Sequence, residues 1–82
     1  MTSITYHIDF IEGKVEEGHA SKIVIRDKFN VLTIGNQHAP LITVLNNGVL
    51  QIFRDQEMVR EIAYVEGFLT CKQNICHINL LK

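Results

Sequence analysis

The chain has no tryptophan, one proline, two cysteines and five glycines in 82 residues, and its eight Lys and Arg nearly balance nine Asp and Glu. Each scarcity removes a class of function. The glycines (Gly13, Gly18, Gly35, Gly48, Gly67) stand apart from one another, so no Gly-rich phosphate loop can form. A formal net charge of -1 gives no electrostatic footing for nucleic acid. No apolar run approaches the roughly 20 residues of a membrane span, and "MTSITYHIDF" lacks the basic and apolar regions of a secretion signal. A cytoplasm-like compartment is therefore expected, with any partner being protein.

The four histidines, His7, His19, His38 and His77, show no paired metal-ligand spacing, and the only Cys/His neighbours, Cys76 and His77, point to opposite faces if they lie on a strand. No metal site, cofactor or catalytic constellation is expected. His7, His19 and His77 read as surface histidines. Cys71 and Cys76 flank "KQN" near the mouth of one hairpin, where a disulfide is geometrically possible. Without a secretion signal they are expected to stay reduced, as small apolar side chains.

What the sequence does have is period-two alternation. Ile4, Tyr6, Ile8 and Phe10 share a face opposite Thr5, His7 and Asp9; Ser21, Ile23 and Ile25 oppose Lys22, Val24 and Arg26; Leu50 and Ile52 oppose Val49, Gln51 and Phe53. Met58, Ile62 and Tyr64 likewise oppose Val59, Ala63 and Val65. Turn chemistry recurs at "EGK" (12–14), "EEGH" (16–19), "RDK" (26–28), "NNG" (46–48), "RDQE" (54–57) and "KQN" (72–74). No window carries a clean helical apolar stripe. The expectation is an all-β fold: a small β-sandwich or flattened barrel of mostly antiparallel strands, one domain over residues 1–82. Its expected core includes Ile8, Ile23, Ile25, Leu32, Leu50, Ile52 and Phe68. At this size roughly 60 to 65% of the unfolded surface can be buried, so the domain folds with little margin.

One block is more specific than the alternation. "HAPLITVLNNGVLQI" resembles the His-Ala-Pro-Leu segment of the epsilon subunit of F-type ATP synthases. The likeness runs outward through "ITYHIDFIEG", "GHASKIVI" and "YVEGFLTCKQNICHI", so it spans nearly the whole chain in order. Two departures stand out: Ile34-Gly35-Asn36 replaces the family's Ile-Leu-Pro before His-Ala-Pro, and Glu66-Gly67 replaces its paired glycines. The chain also ends at "HINLLK", where the family continues into two helices.

The resemblance implies a β-sandwich of about ten short strands in the central-stalk rotor, gripping the gamma subunit with one face and resting on the membrane c ring at one end. It implies a non-catalytic subunit that couples proton or sodium flow to ATP synthesis, peripheral on the cytoplasmic face of the membrane. With no C-terminal inhibitory helices, the chain is expected to bind no ATP. Carried over by position, His38, Pro40, Thr43 and Glu12 would contact gamma, and Asp27, Lys28, Phe29, Asn30 and Val31 would contact the c ring. Pro40 fixes its own φ and holds Ala39 extended, so His38 would be presented from a stiff bend. The alternative is a free-standing interaction module derived from the same fold.

Overall fold

The computed structural model describes residues 3–36 and 39–82. Seven strands and no helix are found among them: β1 Ile4–Phe10, β2 Val15–Ala20, β3 Lys22–Arg26, β4 Val31–Gly35, β5 Leu41–Arg54, β6 Glu57–Lys72 and β7 Ile75–Leu81. They form one hydrogen-bonded sheet in the order β2-β1-β7-β6-β5-β3-β4, antiparallel except for the parallel pairing of β1 with β7. The count is seven rather than about ten because β5 and β6, at 14 and 16 residues, each serve both layers of a sandwich. Their Leu41–Asn46 and Glu66–Cys71 halves pair beside β7, β1 and β2; their Gly48–Arg54 and Glu57–Tyr64 halves pair beside β3 and β4.

Where β5 and β6 pass between layers, the inward side chain changes parity. Leu45, Leu69 and Cys71 are buried in the first layer, whereas Leu50, Ile52, Ile62 and Tyr64 are buried in the second. The two strands stay paired across the change, with Asn46 opposite Glu66 and Gly48 opposite Tyr64. Between those pairs Asn47 takes φ 50 and leaves the ladder. A single left-handed residue, tolerated by Asn, re-aims the strand without ending it. "NNG" is thus a crossover inside β5, not the expected hairpin turn. "EEGH" is not a turn either: it lies in β2, and Gly18 stands opposite Tyr6, whose hydroxyl would be 2.6 Å from any added Cβ.

The expected hairpin connections at "EGK" and "RDK" are present, joining β1 to β2 and β3 to β4, and two-residue turns fall at Asp55-Gln56 and Gln73-Asn74. Gln73 and Asn74 both have positive φ, the geometry a two-residue hairpin demands. That turn sets Cys71 directly opposite Cys76, with Cα atoms 4.1 Å apart, and the two are joined as a disulfide. The expectation of two reduced thiols is therefore corrected. The four residues between them form the end of the hairpin, so the two side chains are direct cross-strand neighbours on one face.

The sheet closes on itself by polar contacts between its two halves. Arg60 of β6 holds Glu16 of β2 through two N–H groups, with Nε to Oε1 at 2.9 Å, and Arg54 Nε donates to the His19 carbonyl at 3.0 Å. Ser21, the lone residue between β2 and β3, forms the corner by donating its N–H and its hydroxyl to the Phe53 carbonyl. The core enclosed between the layers includes Ile8, Ile23, Ile25, Leu50 and Ile52, with Leu32 packed at its margin. Phe68, expected inside, is 58% exposed. It neighbours buried Leu69 and so points out of the first layer, opposite Val44.

Candidate interaction surfaces

Two exposed apolar features meet at the β5–β6 crossover. One is the tip of the loop between β3 and β4. Asp27 organises it with both carboxylate oxygens: Oδ1 accepts from the Phe29 and Asn30 backbone N–H groups, each at 2.8 Å, and from Asn30 Nδ2 at 3.2 Å. Oδ2 accepts from the Asn46 N–H at 3.0 Å and from the Tyr64 hydroxyl at 2.6 Å. One side chain thereby folds the loop and fastens it to both crossing strands. Burial pushes the Asp27 carboxyl up, but the Tyr64 hydroxyl and the three backbone N–H groups outweigh it and hold the group below its usual value. Tyr64 is pushed far up, first by burial and then by the Asp27 carboxylate.

The loop residues expected at one contact therefore divide by role. Asp27 and Asn30 face inward: Asn30 Nδ2 also donates to the Val44 carbonyl at 2.9 Å, and the Thr43 hydroxyl donates to Asn30 Oδ1 at 3.3 Å. Lys28 is exposed, and Phe29 and Val31 are apolar side chains held out in solvent, at 66% and 80% exposure. Together Phe29 and Val31 form a small exposed apolar patch.

The other feature is the outer face of the first layer. Ile42 and Val44 of β5 project there beside Phe68 of β6. Val44 and Phe68 line a cleft of about 300 Å³ with Ile11 and Leu81, and Asn46, Glu66 and Asn79 supply its polar edge. Further along the same face, the parallel register sets His7 beside His77, and their rings stack at 5.1 Å. Glu17 of β2 approaches His7 Nδ1 at 2.9 Å. Stacked rings hold their nitrogen lone pairs in parallel planes, which suits packing rather than shared chelation. Among the described residues no group of three or more His, Cys, Asp or Glu is arranged to hold a metal ion.

Against this geometry the remaining expected contact residues separate. Glu12 is exposed in the β1–β2 turn, next to Ile11 of the cleft. Pro40 is exposed immediately before β5. Thr43 pairs with buried Leu69 on the inward side of β5, so it binds the loop through Asn30 and does not share the outer face with Ile42 and Val44. His38 lies outside the described residues. Sequence reasoning missed Ile42, Val44 and Phe68 as surface residues and Tyr64 as the partner of Asp27. The run "LITVL" conceals which side faces out, and no local pattern links position 27 to position 64.

Sheet order, crossover and closure define a small β-sandwich. Residues 4–80 match the family described as ATP synthase, Delta/Epsilon chain, beta-sandwich domain, and the chain belongs to that family. Among solved structures, its fold is similar to a chain in the cryo-EM structure of the Tetrahymena thermophila mitochondrial ATP synthase central stalk and c ring, with a TM-score of 0.77 at 18% identity. That alignment covers 99% of this chain and 65% of the other.

Proposed function

We propose that this chain is a non-catalytic rotor component of an ATP synthase central stalk, standing between the gamma subunit and the c ring and coupling proton or sodium flow to ATP synthesis. The family supports this reading, as does the likeness of fold to a chain from a central stalk and c-ring assembly. The observation that carries it is the apolar outer face formed by Ile11, Ile42, Val44 and Phe68. An enzyme would need converging polar groups in a cleft, whereas a docking sheet needs a broad apolar face with a polar edge. In this reading gamma lies against that face and near Glu12, Pro40 and His38, while the tip of Lys28, Phe29 and Val31 rests on the c ring. Asp27, Asn30 and Thr43 support the tip from behind. In this reading the chain works at the cytoplasmic face of the membrane without inserting into it.

The test is reassembly with gamma and the c ring, using Phe68→Asp for the face and Val31→Asp for the tip. Phe68→Asp is expected to lose gamma on co-purification. Val31→Asp is expected to keep gamma and lose coupling between ATP hydrolysis and ion pumping. A parent chain that fails to associate with gamma at all would refute the rotor reading and leave the free-standing interaction module.

A further inference from the structure

Phe29 in the loop and Val31 at the start of β4 are 66% and 80% exposed, yet the backbone N–H groups of the loop beneath them are held. Besides the bonds to Asp27, the Asp27 N–H donates to the Asn30 carbonyl at 2.8 Å and the Lys28 N–H to the Asn46 carbonyl at 3.1 Å. Gly48 lies directly behind, where an added Cβ would come within 2.2 Å of Asp27 Cβ. The loop is therefore seated on the crossover itself. From Asn30 the same network reaches Val44, whose side chain lines the outer cleft, through its carbonyl.

We infer that Asp27 and Tyr64 are positioning residues that lock the Phe29–Val31 tip onto the β5–β6 crossover, so that a load applied at the tip passes directly into the strand carrying Val44. This inference rests on the rotor reading and assigns a task to side chains that touch no partner themselves. The physical basis is the division of the Asp27 carboxylate, with Oδ1 closing the loop and Oδ2 bound to both crossing strands. A bond that a buried hydroxyl donates to an ionised acceptor is short and directional, and removing the hydroxyl frees one end of the lock while leaving the aromatic ring in place. The hydrogen-bonded chain Asp27–Asn30–Val44 gives the tip a contiguous connection to that strand.

The experiment uses the full chain with Tyr64→Phe, Asp27→Asn, Phe29→Ser and the double variant Tyr64→Phe with Phe29→Ser. In the chain alone, Tyr64→Phe is expected to speed amide hydrogen exchange at Phe29, Asn30 and Asn46 about tenfold relative to Ile25 and Leu50. In the enzyme reassembled with gamma and the c ring, Tyr64→Phe should lower ion pumping per ATP hydrolysed while gamma stays bound. Because Tyr64 acts through the tip, the double variant should be no worse than Phe29→Ser alone. Additive losses would mean that Tyr64 acts elsewhere and would overturn the inference. So would parental exchange and coupling in Tyr64→Phe when Phe29→Ser is impaired. If Phe29→Ser itself couples normally, the tip is not a contact, and the rotor reading fails at that point whatever the exchange data show. Should Asp27→Asn fail to fold, Tyr64→Phe decides alone.

Discussion

Replacing Gly48 with alanine adds one methyl group and should be among the most damaging small changes available to this chain. The added Cβ would sit 2.2 Å from Asp27 Cβ, 2.3 Å from the Arg26 carbonyl oxygen and 2.6 Å from Asp27 Cα. None of these atoms can be moved by a rotamer change, so the Arg26–Asp27 backbone itself must retreat. Overpacking of this kind costs about 1 to 3 kcal/mol. Retreat also draws the Asp27 carboxylate away from Asn46 and Tyr64, and a buried polar partner left unpaired adds about 1 to 3 kcal/mol. A combined loss near 3 kcal/mol is a large fraction of the roughly 5 to 10 kcal/mol that holds a domain of this size. At about 4 to 8 °C per kcal/mol, the melting temperature should fall by roughly 12 to 24 °C. The control is Gly35→Ala, the same chemical change in β4, where nothing lies within 4 Å of the added Cβ. That variant should melt within a few degrees of the parent, and circular dichroism in the sheet band follows both. A Gly48→Ala protein melting together with Gly35→Ala would refute the close seating of the loop on the crossover.

Acid should weaken the fold through Asp27 and Glu16. Both are held below their ordinary values of 3.8 and 4.5, Asp27 by hydrogen bonds that outweigh its burial and Glu16 foremost by its bond from Arg60. A depressed folded value gives stability that is present above the ordinary value and lost as pH falls through the folded one. Urea midpoints should therefore decline below about pH 4, and Asp27→Asn should flatten part of that decline; an unchanged slope would count against it. In alkali the sign reverses at Tyr64, whose folded value lies above its ordinary 10.0: its contribution is intact below pH 10 and is lost as pH rises beyond it. Tyr64→Phe should lose less stability between pH 9 and about pH 11 than the parent, and parallel slopes would exclude the assignment. Reducing the Cys71–Cys76 bridge opens a link between residues only five apart, so chain entropy sets its worth at about 2 kcal/mol or less. The reduced chain should keep its sheet spectrum, and complete unfolding by a dithiol would show that the bridge does more than staple one hairpin.

The strands of this fold were legible because their side chains are sorted by face. β1 alternates buried Ile4, Tyr6, Ile8 and Phe10 with more open Thr5, His7 and Asp9, as its sequence indicates. The layer crossing was not legible. Asn-Asn-Gly satisfies the chemistry of a hairpin turn, and only the presence of Tyr64 and Asp27 on either side of Gly48 shows why the strand continues. The error at Phe68 follows from the same crossing. Counting by twos from Ile62 and Tyr64 puts Phe68 inside, but the inward parity has already changed before Leu69. Asp27 looked like a surface loop residue because its five acceptor contacts draw on positions 29, 30, 46 and 64, a set no local pattern gathers.

The ambiguity of "LITVL" carries information of its own. A strand covered on one face and wet on the other alternates, as β7 does with buried Cys76, Ile78 and Leu80 between exposed neighbours. A strand that is apolar on both faces is ordinarily covered on both. The first half of β5 has Leu41 and Leu45 on its inner row and Ile42 and Val44 on its outer row, yet only the inner row meets the core. Its neighbour repeats the imbalance, with Phe68 outside and Leu69 and Cys71 inside. Among the described residues nothing covers that outer row, and in the rotor reading the docked partner would supply the cover. In that reading the run that hides its inside from periodicity marks the partner-facing surface, and it does so where the Asp27 loop joins the same strand pair.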